Sequence, residues 1–159
     1  MTEYKKDYVD TERQYSGPSG NASRLMFKMT TTAGGIVEDS DAAAALGSGD
    51  TVVLGVLPAG MTLTGAKGIV SDAFVGSSTA AIGFRYVDGV DVTATPEDAD
   101  YFWAALVLNA QGRTLENNLA VAPVTLPKDA YLVLTHSAHT QNEAGRLDVV
   151  VEGILGGPR

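Results

Sequence analysis

The chain predicts an all-β fold, a jelly-roll-like antiparallel β-sandwich of about eight strands with a short helix or insertion and a flexible N-terminal arm. Three observations carry that expectation. Short apolar or alternating runs recur at regular spacing between turn signals such as Gly34-Gly35 and Asp88-Gly89. One phrase occurs twice, Leu57-Pro-Ala-Gly-Met-Thr-Leu63 and Leu126-Pro-Lys-Asp-Ala-Tyr-Leu132, each time between two apolar runs. Proline cannot donate to a sheet ladder and fixes its own φ, so both copies mark corners where one strand ends and another starts. The third observation is size: 159 residues, 45% of them hydrophobic, suffice for one core and not for two.

Along the chain, residues 1–22 form a polar, charge-mixed leader and residues 23–159 the sandwich domain. The leader ends in Ser16-Gly-Pro-Ser-Gly-Asn21, a hinge composition, and cannot bury enough apolar surface to order itself. Its tyrosines (Tyr4, Tyr8, Tyr15) and cations (Lys5, Lys6, Arg13) suit either a frayed terminus or a binding arm, because tyrosine buries much area at low entropy cost. Residues 24–32 then read as the first strand, closed by Gly34-Gly35. The stretch Glu38-Asp-Ser-Asp-Ala-Ala-Ala-Ala-Leu46 fits a short capped helix or a loop. Strands follow at 50–57, at 61–70 after the first Leu-Pro corner, and at 79–87.

Thr95-Pro-Glu-Asp-Ala-Asp-Tyr-Phe-Trp-Ala-Ala-Leu106 interrupts the pattern with the signature of a helix start, a threonine before proline and acids in the next turn. A short helix or insertion here would set Tyr101, Phe102 and Trp103 against the sheet, where aromatic side chains contribute most to burial. The last third supplies strands at 119–124, 131–135 and 146–154, with the second Leu-Pro corner between the first two.

Charge and composition narrow the function. Eleven Lys and Arg face 19 Asp and Glu, a net charge of −8. The charges balance through Arg24, so the deficit lies wholly in residues 25–159, and an acidic body without a basic stripe repels phosphates; nucleic acid is not an expected partner. There is no cysteine for a disulfide, thiol nucleophile or thiolate metal site. Neither a signal peptide nor an apolar run of membrane-spanning length is present, which predicts a soluble product, outside the general secretory route and without a membrane partner.

Each candidate for chemistry has a plainer competitor. His136, His139 and Glu143 could together hold a divalent cation, yet on a strand a separation of three sends the two histidines to opposite faces, and the segment reads as a hairpin loop. Asp88, Asp91, Asp98 and Asp100 lack the regular carboxylate spacing of a calcium loop. Gly47-Ser-Gly49-Asp50 lacks the lysine of a phosphate loop, and Asn21-Ala-Ser23 is a glycosylation sequon without an export signal. No Ser, His and acid stand out as a triad. The expectation is a protein that is not an enzyme and takes no cofactor.

The succession Val56-Leu-Pro-Ala-Gly-Met-Thr-Leu-Thr-Gly-Ala-Lys-Gly-Ile-Val70, Thr79-Ala-Ala-Ile-Gly-Phe84 and Asp98-Ala-Asp-Tyr-Phe102 resembles the decoration, or cement, proteins of tailed-bacteriophage heads. The resemblance spans roughly residues 50–155 and implies a β-sandwich on the capsid exterior, often a homotrimer, that clamps neighbouring major capsid protein subunits and carries no catalytic residues. It would be made in the host cytoplasm and reside in the virion, with Tyr4, Lys5, Lys6, Tyr8, Arg13 and Tyr15 expected in a capsid-interaction arm. Two alternatives stand beside it. In a carbohydrate- or receptor-binding module Trp103 and Tyr101 would stack on a sugar ring; in a cupin-like metalloenzyme His136 would be a ligand.

Overall fold

The computed structural model describes residues 2–5, 22–118 and 122–155. They form ten strands: β1 (Glu3–Lys5), β2 (Ala22–Thr31), β3 (Thr51–Leu57), β4 (Met61–Asp72), β5 (Thr79–Tyr86), β6 (Asp98–Val107), β7 (Gly112–Leu115), β8 (Val124–Thr125), β9 (Ala130–Ser137) and β10 (Gly145–Leu155). Sheet I runs β1-β3-β9-β5-β6 and sheet II runs β2-β10-β4-β7, with β8 beside β4. Without the short β1 and β8, the chain winds between the sheets so that β2 lies next to β10 and β3 next to β9. That is jelly-roll topology. Every described pairing is antiparallel except β1 on β3.

Period-two alternation decides which side chains meet between the sheets. In β2, Leu25, Phe27 and Met29 point inward while Arg24, Met26 and Lys28 point out. Inward residues of β3 (Val52, Leu54, Leu57), β9 (Leu132, Leu134) and β10 (Leu147, Val149, Val151) complete one continuous core.

The two Leu-Pro corners touch. Gly60 N–H donates to the Leu126 carbonyl at 2.7 Å, Leu126 N–H donates to the Met61 carbonyl at 2.9 Å, and Ala59 N–H donates to Asp129 Oδ1 at 2.8 Å. The repeated phrase therefore builds one end of the sandwich from two matching turns. Gly60, at φ 80°, holds the left-handed conformation that its turn needs.

No helix forms among the described residues, which removes the helix alternative at 95–106. The helix signals there are spent on other partners. Asp91 Oδ1 accepts from Glu97 N–H at 2.8 Å, Glu97 Oε1 accepts from Tyr86 N–H at 2.7 Å, and the Thr95 carbonyl accepts from the Tyr86 hydroxyl. With its first turn tied to β5, the aromatic run that follows extends as β6, as aromatic residues favour. Residues 38–46 are likewise a loop: Ile36 bridges Ala45, and Leu46 N–H donates to the Gly35 carbonyl at 2.9 Å, which seats the Leu46 side chain in the core. Of the strand expected at 119–124, residues 119–121 lie outside the described residues and Val124 opens β8.

Candidate functional site

The sequence candidates are dispersed. Of the six arm residues, Tyr4 stands in β1 with its side chain 6% exposed and packed into the core, and Lys5 ends that strand. Residues 3–5 of the leader therefore stand in sheet I. Lys6, Tyr8, Arg13 and Tyr15 lie outside the described residues.

His136, the penultimate residue of β9, lies on its inward side and is fully buried. Its Nδ1–H donates to the Gly47 carbonyl at 3.1 Å, so Nε2 is free to accept from the Gln141 amide at 3.0 Å. The same amide nitrogen donates to Ser78 Oγ, whose hydroxyl donates to the Val75 carbonyl, and Gln141 Oε1 accepts from Val75 N–H at 3.0 Å. Three loops are thus sewn together by a satisfied polar network. His139 and Glu143 are exposed on the loop beyond, and no group of three metal-ligating side chains occurs among the described residues. The ring that the metalloenzyme reading needs is a structural strut.

Burial pushes the His136 pKa below its ordinary value, against a smaller opposing effect of its bond to Gly47. The neutral ring is also what the geometry demands, since a proton on Nε2 would face the Gln141 donors. A lowered folded pKa means a contribution to stability that is complete above the unfolded value of about 6.5 and is lost as pH falls through the folded value. We expect the melting temperature of the wild-type chain to fall faster with acid below pH 6.5 than that of His136→Gln. Parallel pH profiles of the two proteins would refute this.

The aromatic set is core. Register pairs Ile82 with Trp103 and Phe84 with Asp98, so the extra residues of β6 form a bulge that turns Tyr101, Phe102 and Trp103 inward in succession. Edge-on contacts join Phe84 to Tyr101 (5.5 Å) and Tyr101 to Phe102 (4.9 Å). Trp103 Nε1–H donates to the Leu115 carbonyl at 2.9 Å, and the Tyr101 hydroxyl donates to the Ala122 carbonyl at 2.9 Å. Neither ring offers a face for a sugar to stack on. The acidic turn is occupied too: both Asp88 carboxylate oxygens accept from Lys128 Nζ at 2.8 Å, and that contact holds Asp88 below the usual carboxylate range. Gly47-Ser-Gly49-Asp50 is a tight turn in which Asp50 Oδ2 accepts from Gly47 N–H at 2.8 Å.

Compared with solved structures, the chain superposes on one chain of the capsid of Ralstonia phage GP4 with a TM-score of 0.69 at 16% identity, over 99% of this chain and 100% of that one. The fold is shared with a chain of a phage capsid. A chain of the acid-stable capsid of Helicobacter pylori bacteriophage KHP30 gives a TM-score of 0.49 at 14% identity, over 84% of this chain and 94% of that one. No protein-family model matches, and no curated protein matches in sequence.

Within this shared fold, one surface stands apart chemically. On the outward side of sheet II, register sets Met26 beside Val150, Val150 beside Lys67, and Lys67 beside Leu115. Met26 and Leu115 are 66% and 64% exposed at the two margins, about 14 Å apart at ordinary strand spacing. The next row is Lys28, Asp148, Ile69 and Arg113. Arg24 pairs with Glu152, Lys28 with Asp39 and Arg146 with Asp148, whereas Lys67 and Arg113 have no acidic partner among the described residues. An acidic protein thus presents apolar and cationic side chains, with Asp148 and Glu152 among them, on one face of the sheet. The phase of β2, with Met26 between Leu25 and Phe27, already marked Met26 as outward; the cross-strand neighbours are set by pairings distant in sequence.

Proposed function

We propose that this chain is a structural protein of a phage virion that sits on the outside of the capsid as a homotrimer and stabilises the shell by bridging neighbouring major capsid protein subunits. The observation that carries the reading is the fold correspondence with a phage capsid chain over essentially the whole of both chains. The chemistry of the sandwich supports it. The His136 network and the aromatic set are spent on holding the fold, which leaves the outward face of sheet II as the surface suited to docking.

In this reading the face holding Met26, Lys67, Arg113 and Leu115 meets the shell, and the leader residues Lys6, Tyr8, Arg13 and Tyr15 add contacts to it. Each copy supplies modest binding, and multiple bridged contacts make shell rupture costly.

The test is co-sedimentation of the purified protein with heads assembled from the partner capsid protein, with bound copies counted per capsid subunit. Saturation at a fixed symmetric ratio and raised heat resistance of the heads are expected. Met26→Glu with Leu115→Glu should lower occupancy at least tenfold at subsaturating protein while far-ultraviolet circular dichroism is unchanged. Tyr8→Ser, Arg13→Ser and Tyr15→Ser together should lower it less and leave β1 intact, which a deletion of the whole leader would not do. Absence of wild-type binding would overturn the proposal.

A further inference from the structure

β1 is a three-residue strand held entirely by parts of the chain distant in sequence. It is the one parallel strand among the described pairings, lying against the edge of β3 with Glu3, Tyr4 and Lys5 opposite Thr51, Val52 and Val53. Thr2 N–H donates to Asp50 Oδ1 at 2.9 Å, and Thr51 N–H donates to the Thr2 carbonyl at 3.0 Å. The Glu3 carboxylate pairs with Arg85 of β5. The Tyr4 side chain fills a place in the core. At the rim of the receiving edge Asp50 is held by Gly47 N–H, and Gly47 in turn by His136, so that acceptor is positioned by groups outside β1. This is the geometry of β-strand addition: an extended peptide on an open sheet edge, one aromatic side chain in a pocket, an acid at the rim.

We propose that this edge is a strand-receiving site that takes residues 2–5 of a second copy of this chain as it takes its own. The occupant's chemistry is settled by the strand already there, since an exchanged strand would make the same bonds. The chain from Lys5 to Ala22 leaves sixteen residues between β1 and β2. Fully extended they reach about 50 Å, against a radius of gyration of about 15 Å for a domain of this size, so β1 can reach a neighbouring molecule. Exchange costs no contacts, and the balance between a chain's own strand and a neighbour's is set by effective concentration, on the order of millimolar for the tethered strand. Copies held close together would exchange strands, and dilute copies would keep their own. The inference does not depend on the capsid reading.

Disulfide trapping tests it on the full-length chain, which contains no cysteine. Glu3 and Thr51 are direct cross-strand partners, within the Cα separation a disulfide tolerates. A chain carrying Glu3→Cys and Thr51→Cys together should close a bond within itself. Isotope-labelled Glu3→Cys chains mixed with unlabelled Thr51→Cys chains at about millimolar concentration should, on slow oxidation, give a covalent 3–51 heterodimer identified by peptide mass. Adding Tyr4→Ala to the Glu3→Cys chain should lower its yield at least tenfold. An internal bond in the double variant with none in the mixture overturns the proposal. So does a heterodimer that is indifferent to Tyr4→Ala, which would report random collision, and so does failure of both bonds.

Discussion

Replacing Trp103 by alanine is expected to remove about 3–5 kcal/mol of folding stability, a large share of the 5–15 kcal/mol typical of a whole domain. The side chain is fully buried at the bulge of β6, its ring tilted against that of Phe102 at 6.1 Å, and it is bonded to β7 through its indole N–H. Truncation therefore opens a cavity between the sheets and frees the Leu115 carbonyl at once. Trp103→Phe keeps most of the packing and loses the bond to an exposed strand, so it should cost only about 1 kcal/mol more than a conservative core change. Thermal melts followed by far-ultraviolet circular dichroism separate the two: a fall of roughly 10 °C or more for alanine and a few degrees for phenylalanine. Equal losses would mean that the hydrogen bond, not the packing, dominates.

A comparable loss is expected at Gly83, for the opposite reason. A Cβ added there would lie 2.0 Å from the Asp98 carbonyl oxygen, 2.5 Å from the Ala99 carbonyl carbon and 2.7 Å from Asp100 N. All three are backbone atoms of the β6 bulge and none can swing aside. In most strands Gly→Ala gains several tenths of a kcal/mol from the unfolded state, so the sign of the change at this position is diagnostic. Gly83→Ala should destabilise by about 3 kcal/mol, and Gly83→Val by more, with hydrogen exchange rising first at residues 98–103, where the strand must lift. A neutral or stabilised Gly83→Ala protein would show that β6 does not cross β5 in this way.

Much of this architecture was legible in single residues. Arg24-Leu-Met-Phe-Lys-Met shows its buried phase directly, and each Leu-Pro corner marked a real strand boundary. The failures share a physical cause. The Thr95-Pro96-Glu97 signals were genuine capping groups, but Tyr86 and Asp91 claimed them across a loop, and sequence reading sees only local partners. β7 carries no buried side chain, so it left no pattern to read. Tyr4 looked like part of a leader because one aromatic among charges has no periodicity; its place in the core comes from β3, some fifty residues later. The outward face of sheet II was half legible: outward phase could be read strand by strand, while the row from Met26 to Leu115 exists only once four strands are aligned.

The placement of β10 at the centre of sheet II bears on how the chain is made. β2 is complete when residue 31 has been synthesised, and its sole strand partner among the described residues ends at residue 155. At about 5–20 residues per second, the ribosome leaves β2 waiting roughly 6–25 s, with Leu25, Phe27 and Met29 unsheltered. β1 on β3, the β5–β6 hairpin and β4 with β7 and β8 can pair before β9 and β10 emerge, whereas β2 must wait for β10. Arg24 and Lys28, spaced through that apolar stretch, then serve the nascent chain before they serve the folded one: they keep an orphan strand from pairing with another emerging nearby.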